Sequence, residues 1–159
     1  MRALALALLL LTGTSVAAQT NLDLGGLSGD TDAPVEITAD TLSVDQAAGT
    51  AEFSGSVVIG QGELRLAADR VNVTYDEASG AVTRMQAEGN VTFVTAAEAA
   101  EAQSADYDVV SGTLTLTGDV LLTQGPSAIA AERMVVDLGS GTARMEGRVR
   151  TVFQPQGGN

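Results

Sequence analysis

The chain has 159 residues, with 20 acidic and 8 basic side chains, no histidine, no cysteine and a formal net charge of −12. Every cation is an arginine. This acidic balance argues against nucleic acid as a partner, since a polyanion is normally met by clustered Lys and Arg. The missing histidine and cysteine remove the usual general base, the thiolate nucleophile and the softer metal ligands.

Met1-Arg2 gives a positive start, and Ala3 to Leu11 is an unbroken apolar run. Small and polar residues follow, up to Val16-Ala17-Ala18 before Gln19. This is the pattern of a secretory signal peptide, residues 1–18, cleaved after Ala18. The apolar run is shorter than the roughly 20 residues that span a bilayer. Residues 19–33 are rich in Gly, Asp, Ser and Thr and read as a flexible lead-in. Gly29-Asp30-Thr31-Asp32 lacks the spacing of a calcium loop and reads as solvated. Residues 156–159 read as a disordered tail.

From Pro34 the chain alternates between apolar and polar residues. Ala51, Phe53, Val57 and Ile59 share one parity, as do Leu64, Leu66 and Ala68, and then Val71, Val73 and Tyr75. Val91 and Phe93 follow, then Leu114, Leu116, Val120 and Leu122, and then Met134, Val136 and Leu138. In a strand, residues two apart face the same side, so each run predicts a strand with one apolar face. One segment departs from the pattern. Thr95 to Ala105 reads TAAEAAEAQSA, and its alanines and glutamates favour helix. The expectation there is a loop with one or two helical turns at an end of the sheet.

The chain also repeats. A small residue plus an acid opens each unit, at Ala39-Asp40, Ala68-Asp69, Ala105-Asp106 and Ala131-Glu132. A turn glycine follows at Gly49, Gly80, Gly112 and Gly141, and then a Gly-x-Val element begins at Gly55, Gly89, Gly118 and Gly147. Each unit reads as two strands and a turn, which cannot bury its apolar face alone. The glycine before each valine predicts a bulge or sharp bend of the kind that curls a sheet. The fold class is therefore all-β, a curled antiparallel sheet with an apolar interior.

The repeated Ala-Asp, turn Gly and Gly-x-Val pattern over residues 34–155 resembles the OstA-like (LptA-type) family of periplasmic lipopolysaccharide-transport proteins. The closing stretch from Arg148 to Pro155 resembles that family's last strand and the proline after it. The resemblance implies an open, twisted antiparallel β-jellyroll in the periplasm, holding lipid A acyl chains in its groove. It also implies head-to-tail homo-oligomers and pairing with jellyroll domains of inner-membrane and outer-membrane transport partners. The groove candidates are Phe53, Val57, Ile59, Leu66, Val73, Val91, Phe93, Leu114, Leu116, Val120, Met134, Val136 and Met145. The candidate assembly edges are Val35 and Ile37 at one end and Arg148, Arg150 and Phe153 at the other. No cofactor is expected.

From the residues alone, the same apolar positions fit an ordinary dry core, and a structural β-repeat or solenoid protein stands as the alternative. No catalytic constellation is visible: a serine nucleophile lacks an activating partner, and the acids sit mostly at turns. The expectation is a non-enzymatic protein without a metal. An anionic lipid would not be drawn to so acidic a chain by long-range charge. Apolar transfer, at about 0.8 kcal/mol per buried methylene, would have to hold it.

Overall fold

The computed structural model describes Asp30 and residues 32–153, together with the backbone of Leu22–Asp23. The expected signal peptide and tail lie outside the described residues. Eleven strands form one antiparallel sheet: β1 (Leu22–Asp23), β2 (Val35–Thr38), β3 (Thr41–Asp45), β4 (Thr50–Gln61), β5 (Leu64–Tyr75), β6 (Val82–Val94), β7 (Glu98–Asp108), β8 (Thr113–Gln124), β9 (Ser127–Asp137), β10 (Thr142–Glu146) and β11 (Arg150–Val152). The six long strands β4 to β9 pair with one another in sequence order, as a succession of hairpins must. The described residues contain no helix, and none long and apolar enough to cross a membrane.

Every long pairing shifts register near its middle. The shifts fall between Ser54 and Val57, Ala67 and Arg70, Glu88 and Val91, Glu101 and Ser104, and Thr117 and Val120. Each coincides with a Gly-x-Val element or with the residue opposite one. At Gly118 and Asp119 the backbone takes φ of 86° and 45°, two left-handed residues in succession. Glycine reaches that region without strain, and a short polar residue tolerates it better than a branched one. The same pair of conformations recurs at Gly55-Ser56, Gly89-Asn90 and Gly147-Arg148. The bulges form a row across the sheet, and the sheet folds along that row into two facing leaves.

The division is visible at both ends of the sheet. β2 pairs with residues 58–61 of β4 and β3 with residues 50–54, so the first edge is split at the bulge. β11 pairs with residues 128–130 of β9 and β10 with residues 133–137, splitting the last edge in the same way. The first leaf thus runs from β2 to β11 and the second from β3 to β10. Between them lies one core of aliphatic residues, including Val57, Val71, Val91, Leu114, Leu116, Leu122 and Met134.

Two expectations are corrected. Thr95 to Ala105 is not a helical insertion: Glu98–Asp108 is a full strand, paired on both sides with β6 and β8. An isolated helix of that length is marginal in water, whereas a central strand gains two ladders of hydrogen bonds. Ala100 and Ala105 are buried, so small side chains serve the inward face there. Second, the third repeat opens at Ala102-Gln103, not Ala105-Asp106. Gln103 lies over Gly118, its Oε1 2.7 Å from where a Cβ would stand, as Asp40, Asp69 and Glu132 lie over Gly55, Gly89 and Gly147. Asp106 instead takes two hydrogen bonds from Nε of Arg84, at 3.0 Å each. Within the stretch read as the lead-in, Leu22 and Asp23 pair with Ala143 and Thr142.

Candidate functional site

The candidate site is the space between the leaves. Period-two alternation sends one face of every long strand inward, and the fold at the bulges turns both halves of that face toward each other. Of the groove candidates, Val57, Ile59, Val73, Val91, Phe93, Leu114, Leu116, Val120, Met134 and Val136 are buried, and so is Leu66. Phe53 and Met145 are half-buried and pack against the same core. The structure therefore gathers all thirteen on one interior.

Within it is a cavity of about 40 Å³, bounded by Ile59, Gln61, Leu64, Leu66 and Phe93 from the first leaf and by Met85, Ala87, Ala105, Tyr107, Leu114 and Leu138 from the second. A small-molecule pocket usually has ~300–1,000 Å³, so this space is too small for an acyl chain unless the leaves part. Sequence reasoning placed Ile59, Leu66, Phe93 and Leu114 here. It missed Met85, Ala87, Ala105 and Tyr107. The alternation Met85-Gln86-Ala87 was a signal, but Gln61 is polar, and no apolar pattern could have found it.

Gln61 and Tyr107 join the two leaves at the mouth. The Tyr107 hydroxyl donates to Oε1 of Gln61 at 3.2 Å, and Gln61 Nε2 donates to the carbonyl of Ala33 at 3.1 Å. Gln61 is 5% and Tyr107 8% exposed, and burial pushes the Tyr107 hydroxyl above its ordinary pKa. The rest of the first leaf's inward rim is also polar: Thr95, Glu98 and Gln124 lie beyond the aliphatic rows. Gln124 Nε2 donates to Oε1 of Glu98 at 2.6 Å. Desolvation pushes the Glu98 carboxyl above the usual carboxylate range.

The edge candidates fall into two kinds. Val35 and Ile37 lie in β2 and are half-buried against the core. Arg150 lies in β11, and Phe153 just after it is 72% exposed. Arg148 is not a strand residue: it occupies the last bulge, and its Nε donates to Glu132 at 2.7 Å within the chain. Leu42 and Val44 of β3, outside those candidates, are 54% and 53% exposed. Both ends of the sheet thus expose apolar side chains beside backbone that can pair with another strand.

No group of three or more potential metal ligands exists among the described residues. The acids whose pKa departs downward, Asp76, Asp108 and Asp137, are exposed residues at the start of turns that accept hydrogen bonds from Ser79, Ser111 and Ser140.

A family model described as LptA/(LptD N-terminal domain) LPS transport protein matches residues 36–142. The chain belongs to the LptA/LptD N-terminal-domain family. That family consists of transport proteins, not enzymes. An uncharacterised protein of Rhizobium meliloti is 28% identical over 158 residues, covering 92% of this chain and 85% of that one. The lipopolysaccharide export system protein LptA of Escherichia coli K12 is 27% identical over 114 residues, covering 68% of this chain and 62% of that one. The crystal structure of LptH, the LptA homologous periplasmic component of the lipopolysaccharide transport device of Pseudomonas aeruginosa, superposes with a TM-score of 0.71. It is 20% identical, and the match covers 80% of this chain and 99% of LptH. The likeness establishes the fold as that of an LptA-type jellyroll.

Proposed function

We propose that this chain is a periplasmic lipopolysaccharide transport protein that takes lipid A acyl chains between its two leaves and joins like jellyrolls edge to edge. One observation carries the reading: an aliphatic interior lies between two leaves of a sheet that is not closed. A closed barrel could not part without breaking a ladder. Here the leaves meet through side chains and can separate along the mouth while every backbone pairing survives. Capture is then apolar transfer at about 0.8 kcal/mol per methylene. Passing a chain from one such interior to the next is nearly isoenergetic, which suits a conduit.

The edges support the second half of the proposal. β2 and β3 at one end, and β11 at the other, offer unpaired backbone with exposed apolar side chains. Two different edges meeting head to tail form an open chain of subunits. The same arrangement fits pairing with jellyroll domains of membrane-bound partners at either end.

The small cavity favours a rival reading, a structural β-repeat protein with a permanently dry core. Photo-crosslinking in cells separates the two. A photoreactive residue at Phe53 or Leu116, which face the core, should yield an adduct that reacts with antibody to lipopolysaccharide. One at the exposed Thr117 should not. Folded protein that never crosslinks to lipid from either inward position would overturn the conduit.

A further inference from the structure

Glu98 occupies an inward position of β7, and its neighbours on that parity are apolar. The next inward residue is Ala100, 1% exposed, which pairs across the ladder with Phe93 of the cavity wall. Glu98 itself is 3% exposed. Its backbone is fixed by a tight turn: Thr95 N–H donates to the Glu98 carbonyl at 2.9 Å, and Glu98 N–H donates to Thr95 Oγ1 at 3.1 Å. Its side chain is held from one side only. Oε1 accepts from Gln124, whereas Oε2 is buried with no hydrogen-bond partner among the described residues. None of the five ion pairs of the described residues includes Glu98.

A buried carboxylate oxygen without a partner is costly, and native interiors rarely keep one without use. An alanine or leucine, as at the other inward positions, would avoid the cost. The oxygen lies at the rim, where an apolar chain entering between the leaves would bring its polar end. An acceptor there selects for a donor. A phosphate would set oxygen against oxygen in a poorly solvated place, whereas a neutral N–H or O–H completes the bonding with little desolvation cost of its own.

We propose that Glu98, backed by Gln124, is a subsite for a neutral hydrogen-bond donor, an amide N–H or a hydroxyl, at the polar end of an acyl chain held between the leaves. The subsite rests on the reading that acyl chains enter this interior, and it deepens that reading by naming what the rim recognises. A conduit lined only with aliphatic residues accepts any apolar chain. A donor-seeking carboxylate at the rim gives preference to amide-linked or hydroxylated chains over plain esters.

The test uses the mature full-length protein and two neutral probes, a long-chain fatty acid N-methylamide and the methyl ester of the same acid. Each is titrated against a bound fluorescent fatty acid. The amide should bind on the order of tenfold more tightly than the ester, the worth of a charge-assisted hydrogen bond. In Glu98→Leu the ratio should fall to about one, while the ester binds no more weakly than before. Glu98→Gln, which keeps the shape and an acceptor oxygen, should retain part of the ratio and covers the case in which the leucine variant misfolds. Equal affinities for the two probes in the unaltered protein, or an unchanged ratio in both variants, would overturn the subsite and leave acyl binding intact. Failure of both probes to bind the unaltered protein would overturn acyl binding itself, and the subsite with it.

Discussion

The hydroxyl of Tyr107 and the side-chain carbonyl of Gln61 meet at 3.2 Å although 46 residues separate them. The two belong to opposite leaves, so this hydrogen bond is a polar tie across the mouth of an otherwise apolar interior. Parting the leaves to admit a chain must break it. In Tyr107→Phe the Gln61 oxygen loses a donor in a buried place, which should cost about 1–2 kcal/mol. Thermal unfolding should show that loss, and stopped-flow uptake of a fluorescent fatty acid should become faster. Unchanged stability together with unchanged uptake would mean that the tie does not gate the mouth.

The row of bulges makes a prediction about steric cost. A Cβ at Gly118 would meet Gln103 and would also sit on a backbone with φ of 86°. Gly118→Ala should therefore destabilise the protein by about 1–3 kcal/mol through backbone strain, with a further cost from the collision. Gln103→Ala relieves the collisions with Oε1 and Cδ but keeps that with its own Cβ, 2.9 Å away, and the strain. A double-mutant cycle from urea denaturation should show the two substitutions to be non-additive, with the double variant more stable than the sum of the singles. Strict additivity would show that Gln103 does not press on this bulge.

Acid should reveal Glu98. Burial raises its carboxyl above the ordinary 4.5, so the unfolded chain gives up this proton first as pH rises. Its contribution to stability therefore falls between pH 4.5 and the higher folded value and stays reduced at neutral pH. Asp108 and Asp137 are shifted down from 3.8 by hydrogen bonds from turn residues, Ser111 and Ser140 first among them. Their contribution is present above 3.8 and is lost as pH falls through their folded values, so the two windows do not overlap. Melting temperatures of the unaltered protein and Glu98→Gln across pH 3 to 8 should converge near the low end and separate above about pH 4.5, with the variant the more stable at neutral pH. Parallel curves would show that Glu98 is solvated.

Assembly should respond to the lead-in. Leu22–Asp23 pairs with β10 and so occupies the second leaf's final edge, while β11 on the first leaf has no strand beyond it among the described residues. A chain beginning at Pro34 frees β10 for a strand from another subunit. Sedimentation across a wide concentration range should show stronger association for this chain than for one beginning at Gln19. Ending the chain before Arg150 should weaken association by removing β11. Equal association in all three would place the contact elsewhere on the molecule.

Much of the architecture was legible because it depends on period. Alternation at Leu114, Leu116, Val120 and Leu122 marks a strand wherever it occurs, and all four are buried. The Gly-x-Val elements were legible as bends because two successive left-handed residues need a glycine and tolerate a small polar neighbour. The third repeat was misaligned because the residue over its glycine is Gln103, which carries no charge to match Asp40, Asp69 and Glu132. Glu98–Asp108 was misread because alanine and glutamate state a helical preference, and that preference is weak beside two ladders of backbone hydrogen bonds.

The sequence by itself determined that this is an all-β repeat protein with one apolar face, without the side chains of common catalysis, resembling a lipopolysaccharide-transport family. These are properties of local order and composition, which survive without knowledge of what touches what. Only the tertiary structure decided that the bulges align in one row and that the face closes on itself as two leaves. It also decided that Tyr107 reaches Gln61 and that Glu98 is buried with one oxygen unpartnered. The reason is that pairing register, not local preference, sets which residues meet. A polar residue on an inward parity reads as ordinary solvation until the facing leaf removes the water from it.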